Sequence, residues 1–201
     1  MRYVALGDSY TIGTSVAAGE RWPDQLVASL AARAADGPSL HLVANLGVNG
    51  YTSADLIRDE LPALADLRPE FVTVLIGVND VVQAVPSAVY RGNVAVILDA
   101  LLERVPADRI LAVAIPDYTV TPAGRDYGDP RQQHDAIVAA NQTMARLAEV
   151  RSVAFADTFD LSLRAATDRT LVADDGLHPS GAQYASWVER LVPVVEALLA
   201  R

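Results

Sequence analysis

Five short apolar runs, separated by longer stretches of helical spacing, leave this chain few folds to choose from. The runs cover residues 3–6, 41–46, 71–76, 109–115 and 152–156. The third, with Phe71, Val72, Val74, Leu75 and Ile76, has the apolar, β-branched character of a strand buried on both faces. Residues 22–35, 53–67, 87–105, 132–149 and 180 to the C-terminus place apolar side chains at helical intervals. Pro23 suits a first helical turn, and Ser53 is placed to cap the second helix. Pro193 should kink the last helix or split it in two. Strands alternating with helices imply a parallel sheet covered on both faces. With right-handed crossovers the result is an α/β chain, a three-layer α/β/α doubly wound domain. No internal repeat or linker interrupts it, so residues 1–201 read as a single domain.

The bulk properties narrow the partners. The 201 residues are 51% hydrophobic and 20% charged, enough apolar material for a sizeable core. The formal net charge of −9 repels phosphate backbones and anionic membranes. Neither nucleic-acid binding nor stable membrane association is expected, and a small neutral substrate fits better. The absence of cysteine excludes disulfides, thiolate zinc sites and cysteine nucleophiles. The apolar run after Met1 is too short for an export signal, which makes a cytoplasmic location the expectation. No apolar run approaches the roughly 20 residues of a membrane span. The irregular stretch 117–131, with Pro122, Gly124, Gly128 and Pro130, is either a substrate-covering element or a surface loop.

In open parallel sheets the ligand crevice lies beyond the carboxyl ends of the strands, and four polar clusters fall there. They are Gly7-Asp8-Ser9-Tyr10, Asn45-Leu46-Gly47-Val48-Asn49-Gly50, Gly77-Val78-Asn79-Asp80 and Asp174-Asp175-Gly176-Leu177-His178-Pro179. A serine hydroxyl such as that of Ser9 needs a base to take its proton. Of three histidines, His41 opens a strand at the wrong edge, His134 lies near a helix start, and His178 occupies a loop at the right edge. Asp175, three residues earlier, can reach the imidazole Nδ1; Asp174 competes, but adjacent side chains diverge. The Ser9 N–H, the unobstructed Gly50 N–H and the Asn79 amide are three donors for an oxyanion. Of the remaining polar residues, Asp8 reads as a brace for the Ser9 turn, and Asp80 and Asp174 as solvent-facing or capping. Trp22 reads as an apolar anchor, and the apolar face of 89–102 as core.

These four blocks, in this order, resemble the SGNH hydrolase superfamily, the GDSL-type lipases and esterases. Each block is weak alone; the ordered set spans Gly7 to Pro179. The resemblance implies a flavodoxin-like fold with a five-stranded parallel sheet and no metal or organic cofactor. It implies Ser9 as nucleophile, Asp175 and His178 as the acid and base of its triad, and Ser9, Gly50 and Asn79 as the oxyanion hole. Tyr10 stands where many members carry leucine, which should alter packing or the pocket wall. The expected activity is hydrolysis of short- to medium-chain carboxylic esters through an acyl-enzyme. A carbohydrate or peptidoglycan O-deacetylase, a thioesterase or lysophospholipase, or an acyltransferase would use the same residues. A non-catalytic binding domain would need the set broken, and here every element is present. A flavodoxin-like electron carrier would need a phosphate cradle where Asp8 puts a carboxylate. Oligomeric state is open.

Overall fold

The computed structural model describes residues 1–33 and 39–200. Five strands, β1 (Arg2–Gly7), β2 (His41–Asn45), β3 (Phe71–Leu75), β4 (Ile110–Val113) and β5 (Ala154–Ala156), form one all-parallel sheet. Their order is β2-β1-β3-β4-β5, the doubly wound, flavodoxin-like arrangement. Every strand points its carboxyl end to one edge, where β1 ends with Gly7 in register with Leu75 of β3.

The helices are α1 (Ser9–Ile12), α2 (Trp22–Arg33), α3 (Ser53–Asp55), α4 (Leu61–Leu67), α5 (Val78–Val82), α6 (Ser87–Leu102), α7 (Pro130–Glu149), α8 (Phe159–Leu163) and α9 (Gly181–Leu199). α2 packs on α9 in one layer, and α6 packs on α7 in the other. The core lies against both faces of β1 and β3, whose side chains from Tyr3 to Leu6 and Phe71 to Leu75 are buried. Trp22 is fully buried at the start of α2, as an anchor should be. Val94, Ile97, Leu98 and Leu101 of α6 are core, while Val89 and Val96 face solvent.

Some expectations change. The helix foreseen over 53–67 is three pieces, with a π-helical turn, Leu56–Glu60, between α3 and α4. Its cap is Thr52, not Ser53: Thr52 and Asp55 exchange side-chain-to-amide bonds, a reciprocal capping box. Ser53 bonds elsewhere, as described below. α7 begins two residues early, at Pro130, because the Asp129 carboxylate accepts the Arg131 and Gln132 amides. α9 runs unbroken through Pro193, since Trp187, Leu191, Val192 and Val195 anchor its buried face on both sides of the proline. The last two residues of the helix foreseen over 22–35 lie outside the described residues. Among the described residues, no helix is long and apolar enough to cross a membrane.

Candidate active site

The first cluster is a sharp turn from β1 into α1. Asp8 caps that helix: its Oδ1 accepts the Tyr10 amide at 3.0 Å, and its carbonyl accepts those of Thr11 and Ile12. This is the bracing role foreseen for it. Ser9 occupies the first helical position, where a backbone N–H has no intrahelical acceptor. Asn45, at the end of β2, donates to the Thr11 carbonyl and so ties the second cluster to the first. Gly50 follows with φ +82°, a backbone conformation that any side chain would strain; no atom lies within 4 Å of where its Cβ would be.

Beyond β3, Asn79 donates Nδ2 to the Tyr51 carbonyl at 3.0 Å, which fixes the amide and leaves its second hydrogen unassigned. Its neighbour Asp80 corrects the expectation of a solvent-facing or capping residue. Asp80 is buried, and its oxygens accept the Ser53 amide at 2.8 Å and the Ser53 hydroxyl. Asn93 of α6 donates to the same hydroxyl at 2.9 Å. The Asp80 carboxylate is thus a clasp joining the loops after β2 and β3, the two that carry Gly50 and Asn79.

The fourth cluster is a tight turn. Asp175 Oδ1 accepts the amides of Leu177 and His178, both at 2.9 Å, and Oδ2 meets His178 Nδ1 at 2.6 Å. Asp174 is exposed. Ser15, which the sequence did not single out, donates its hydroxyl to the same Oδ2 at 2.7 Å from a loop 160 positions away. Burial pulls the Asp175 carboxyl up. The Ser15 and His178 side chains and the His178 and Leu177 amides outweigh it and hold the group at about 2. Asp175 is therefore an anion at any pH near neutrality, and with Nδ1 engaged the imidazole has Nε2 left for other chemistry. The ring stacks at a tilt on Tyr10, centroids 5.1 Å apart, so Tyr10 does form part of the pocket wall.

Members of all four clusters face one cavity of about 270 Å³. Ser9, Gly50, Asn79 and His178 line it, with Tyr10, Val78, Val82 and Leu177. The stretch 117–131 closes one side. It is two short 3-10 turns, Tyr118–Val120 and Gly124–Tyr127, and contributes Tyr118 and Tyr127 in edge-on contact. Tyr118 is buried, and its hydroxyl bonds Gln133 of α7. The loop thus places two aromatic side chains in the cavity wall. His41 lies at the opposite edge of the sheet, and His134 pairs with Asp117 outside the cavity.

The family model of the GDSL-like lipases and acylhydrolases matches residues 5–185. A comparison with curated proteins found no match. Among solved structures, TesA is 23% identical with a TM-score of 0.72, covering 99% of this chain and 100% of that one. The psychrotrophic esterase EstA from Pseudoalteromonas sp. is 18% identical with a TM-score of 0.74, covering 100% and 99%. Axe2, an acetyl xylan esterase from Geobacillus stearothermophilus, is 19% identical with a TM-score of 0.71, covering 96% and 94%. At these identities the structural likenesses speak for the fold, while the family match covers nearly the whole chain and includes all four clusters. The chain belongs to the GDSL-like lipase/acylhydrolase family, hydrolases that act on ester bonds.

Proposed function

We propose that this protein is a serine esterase for short- to medium-chain carboxylic esters, working through an acyl-enzyme on Ser9. One observation carries the reading: His178, held by its short bond to Asp175, lines the same cavity as Ser9, Gly50 and Asn79. His178 takes the Ser9 proton through Nε2 as Oγ attacks the carbonyl carbon. The new C–O bond pushes an electron pair onto the carbonyl oxygen, which the N–H groups of Ser9, Gly50 and Asn79 Nδ2 receive. The imidazolium, stabilised by the Asp175 anion, then protonates the ester oxygen, and the alcohol departs. Water loses a proton to His178, attacks the acyl-serine, and the acid leaves as Ser9 regains its proton.

The cavity volume lies just below the roughly 300–1,000 Å³ common for ligand pockets, which supports a small acyl group. The test is a panel of nitrophenyl esters of increasing acyl length, run beside an acetylated sugar. Each buried methylene is worth about 0.8 kcal/mol, so an apolar channel would show as kcat/KM rising with length. The expected gain stops after a few carbons. A steady rise from acetyl to decanoyl overturns the chain-length reading, and preference for the acetylated sugar makes the protein a deacetylase.

A further inference from the structure

The turn that carries Ser9 rests on two buried carboxyl groups that the reaction above leaves idle. Glu60 closes the π-helical turn Leu56–Glu60, and its Oε2 accepts the Gly7 amide at 2.9 Å. Glu60 is 3% exposed and Asp8 0%. Their second oxygens, Glu60 Oε1 and Asp8 Oδ2, are buried without a hydrogen-bond partner among the described residues. Gly7 itself has no slack. Its φ is +150°, and a Cβ there would lie 2.2 Å from the Leu75 carbonyl oxygen and 2.4 Å from Thr11 Oγ1. The strand is clamped on both sides of Gly7, and the bond to its amide comes from a side chain 53 positions away.

The geometry points to Glu60 as a positioning residue for the nucleophile, one that fixes Ser9 through the Gly7 amide and does so as the neutral acid. This rests on Ser9 being the nucleophile. The groups that face the pair are nearly all acids. Asp8 on the β1–α1 turn and Asp59 on its own turn act on Glu60; Asp80, from the loop after β3, acts on Asp8. Tyr10, Tyr90 and Tyr184 surround Asp8 and are pushed up by burial first and by Asp8 after it, or in the case of Tyr90 by Asp80 and Asp8. Among the described residues, no cation acts on either carboxyl. Burial pushes Glu60 up; the Gly7 amide opposes, Asp8 and Asp59 add, and the group arrives at about 9. Burial likewise lifts Asp8, against the Tyr10 amide and with Asp80, to about 7. At neutral pH Glu60 keeps its proton. Ionising it adds a buried negative charge directly behind the residue whose N–H must receive an oxyanion, and in a low-dielectric interior that repulsion is poorly screened. Ser9 reactivity should therefore fall as pH rises through the Glu60 ionisation.

The test is the rate at which a fluorophosphonate modifies the protein between about pH 6 and 10, a span that brackets both ionisations. In that reaction the Ser9 Oγ–phosphorus bond forms, fluoride leaves, and the proton goes to His178. The wild type should be reactive at neutral pH and lose that reactivity on the alkaline side with a midpoint near 9. Glu60→Gln keeps an acceptor for the Gly7 amide but cannot ionise. It should label at neutral pH within about twofold of the wild type, and the alkaline fall should vanish. Glu60→Leu has no acceptor and should label about 10²-fold more slowly with unchanged initial inhibitor binding, the scale of a misplaced reacting group. A Glu60→Gln profile that falls at the same pH as the wild type overturns the proposal, whether or not Glu60→Leu folds. Peptide mapping separates this from the underlying reading. An adduct on a serine other than Ser9 removes the nucleophile assignment itself.

Discussion

Two histidine–aspartate pairs stand beyond the carboxyl edge of this sheet, and by bond length they are indistinguishable. His178 meets Asp175 at 2.6 Å and His134 meets Asp117 at 2.6 Å. What differs is the company. The His178 ring lies on Tyr10, beside Ser9, and lines the cavity with Gly50 and Asn79. The His134 ring leans on Phe159, at 5.7 Å between centroids, and Asp117 spends its other oxygen on the Thr119 amide and hydroxyl. Exposure runs in opposite senses. In the first pair the histidine side chain is 12% exposed and the aspartate 29%; in the second the histidine is 41% exposed and the aspartate wholly buried. A buried carboxylate holding an exposed imidazole is a tether, here between the 117–131 loop and α7. A carboxylate orienting a sheltered imidazole in a cavity shared with a serine is the arrangement general-base catalysis needs. The lesson is that a short His–Asp bond does not define a site; the nucleophile and oxyanion donors around it do.

The two pairs can be broken apart experimentally. His178→Ala should lower kcat by about 10⁶, as loss of the general base does in serine triads, while His134→Ala should leave kcat within about tenfold. Equal losses would make the second pair part of the chemistry. The aspartates should separate next. Asp175→Asn should cost about 10⁴ in kcat, because the amide favours the wrong imidazole tautomer. Asp117→Asn should show as a lower melting temperature with little change in kcat, since Asp117 is buried and holds a loop. Asp174→Asn should do neither. If Asp174→Asn were the damaging change, Asp175 would not be the acid that orients His178.

The oxyanion side sharpens the contrast further, because His178 shares its cavity with Asn79 and His134 does not. Asn79→Ala should lower kcat by about 10²–10³ with KM nearly unchanged, as expected of a donor that matters once the carbonyl oxygen carries charge. A raised KM with normal kcat would place Asn79 in ground-state binding.

How much of this was legible beforehand follows from the range over which each signal acts. The strands announced themselves through local composition, and the sheet edge followed from their alternation with helices. Ser9, Gly50, Asn79, Asp175 and His178 sit at strand ends or in one short loop, where the topology dictates convergence. The positions that misled are those whose partners are distant. Asp80 looks like a capping residue until Ser53, 27 positions away, is folded against it. Glu60 carries no local signal of its own, and the π-helical turn is what brings it to the Gly7 amide. Tyr118 and Tyr127 read as two aromatics in an irregular stretch, and only the 3-10 turns bring both to the cavity. Pro193 does not split α9, whose buried face packs on both sides of it.

Ser15 is the subtlest of these, and it supplies the finest test of the comparison. Each aspartate accepts one neighbouring hydroxyl: Ser15 donates to Asp175 at 2.7 Å and Thr119 to Asp117 at 2.6 Å. In the first pair the hydroxyl donates to Oδ2, the oxygen that also holds His178; in the second it donates to Oδ1, the oxygen opposite His134. Ser15→Ala should therefore act on the imidazole through the shared atom, and Thr119→Ala should not. A hydrogen bond to a charged group contributes about 1.5 kcal/mol at its lower end, and the partial exposure of this pair argues for that end, so kcat should fall by about tenfold at most. The pH dependence gives the sign. Asp175 is depressed to about 2 in the folded protein, so its contribution to stability is present above the unfolded carboxylate value and is lost as pH falls towards 2. The Ser15 hydroxyl is one of the bonds that lower it, so Ser15→Ala should raise that ionisation and bring acid unfolding to a higher pH. Acid titrations of the two alanine variants, followed by circular dichroism and paired with kcat at neutral pH, measure both effects. A Thr119→Ala variant that lost as much kcat as Ser15→Ala would mean that the shared oxygen has no special part in holding His178.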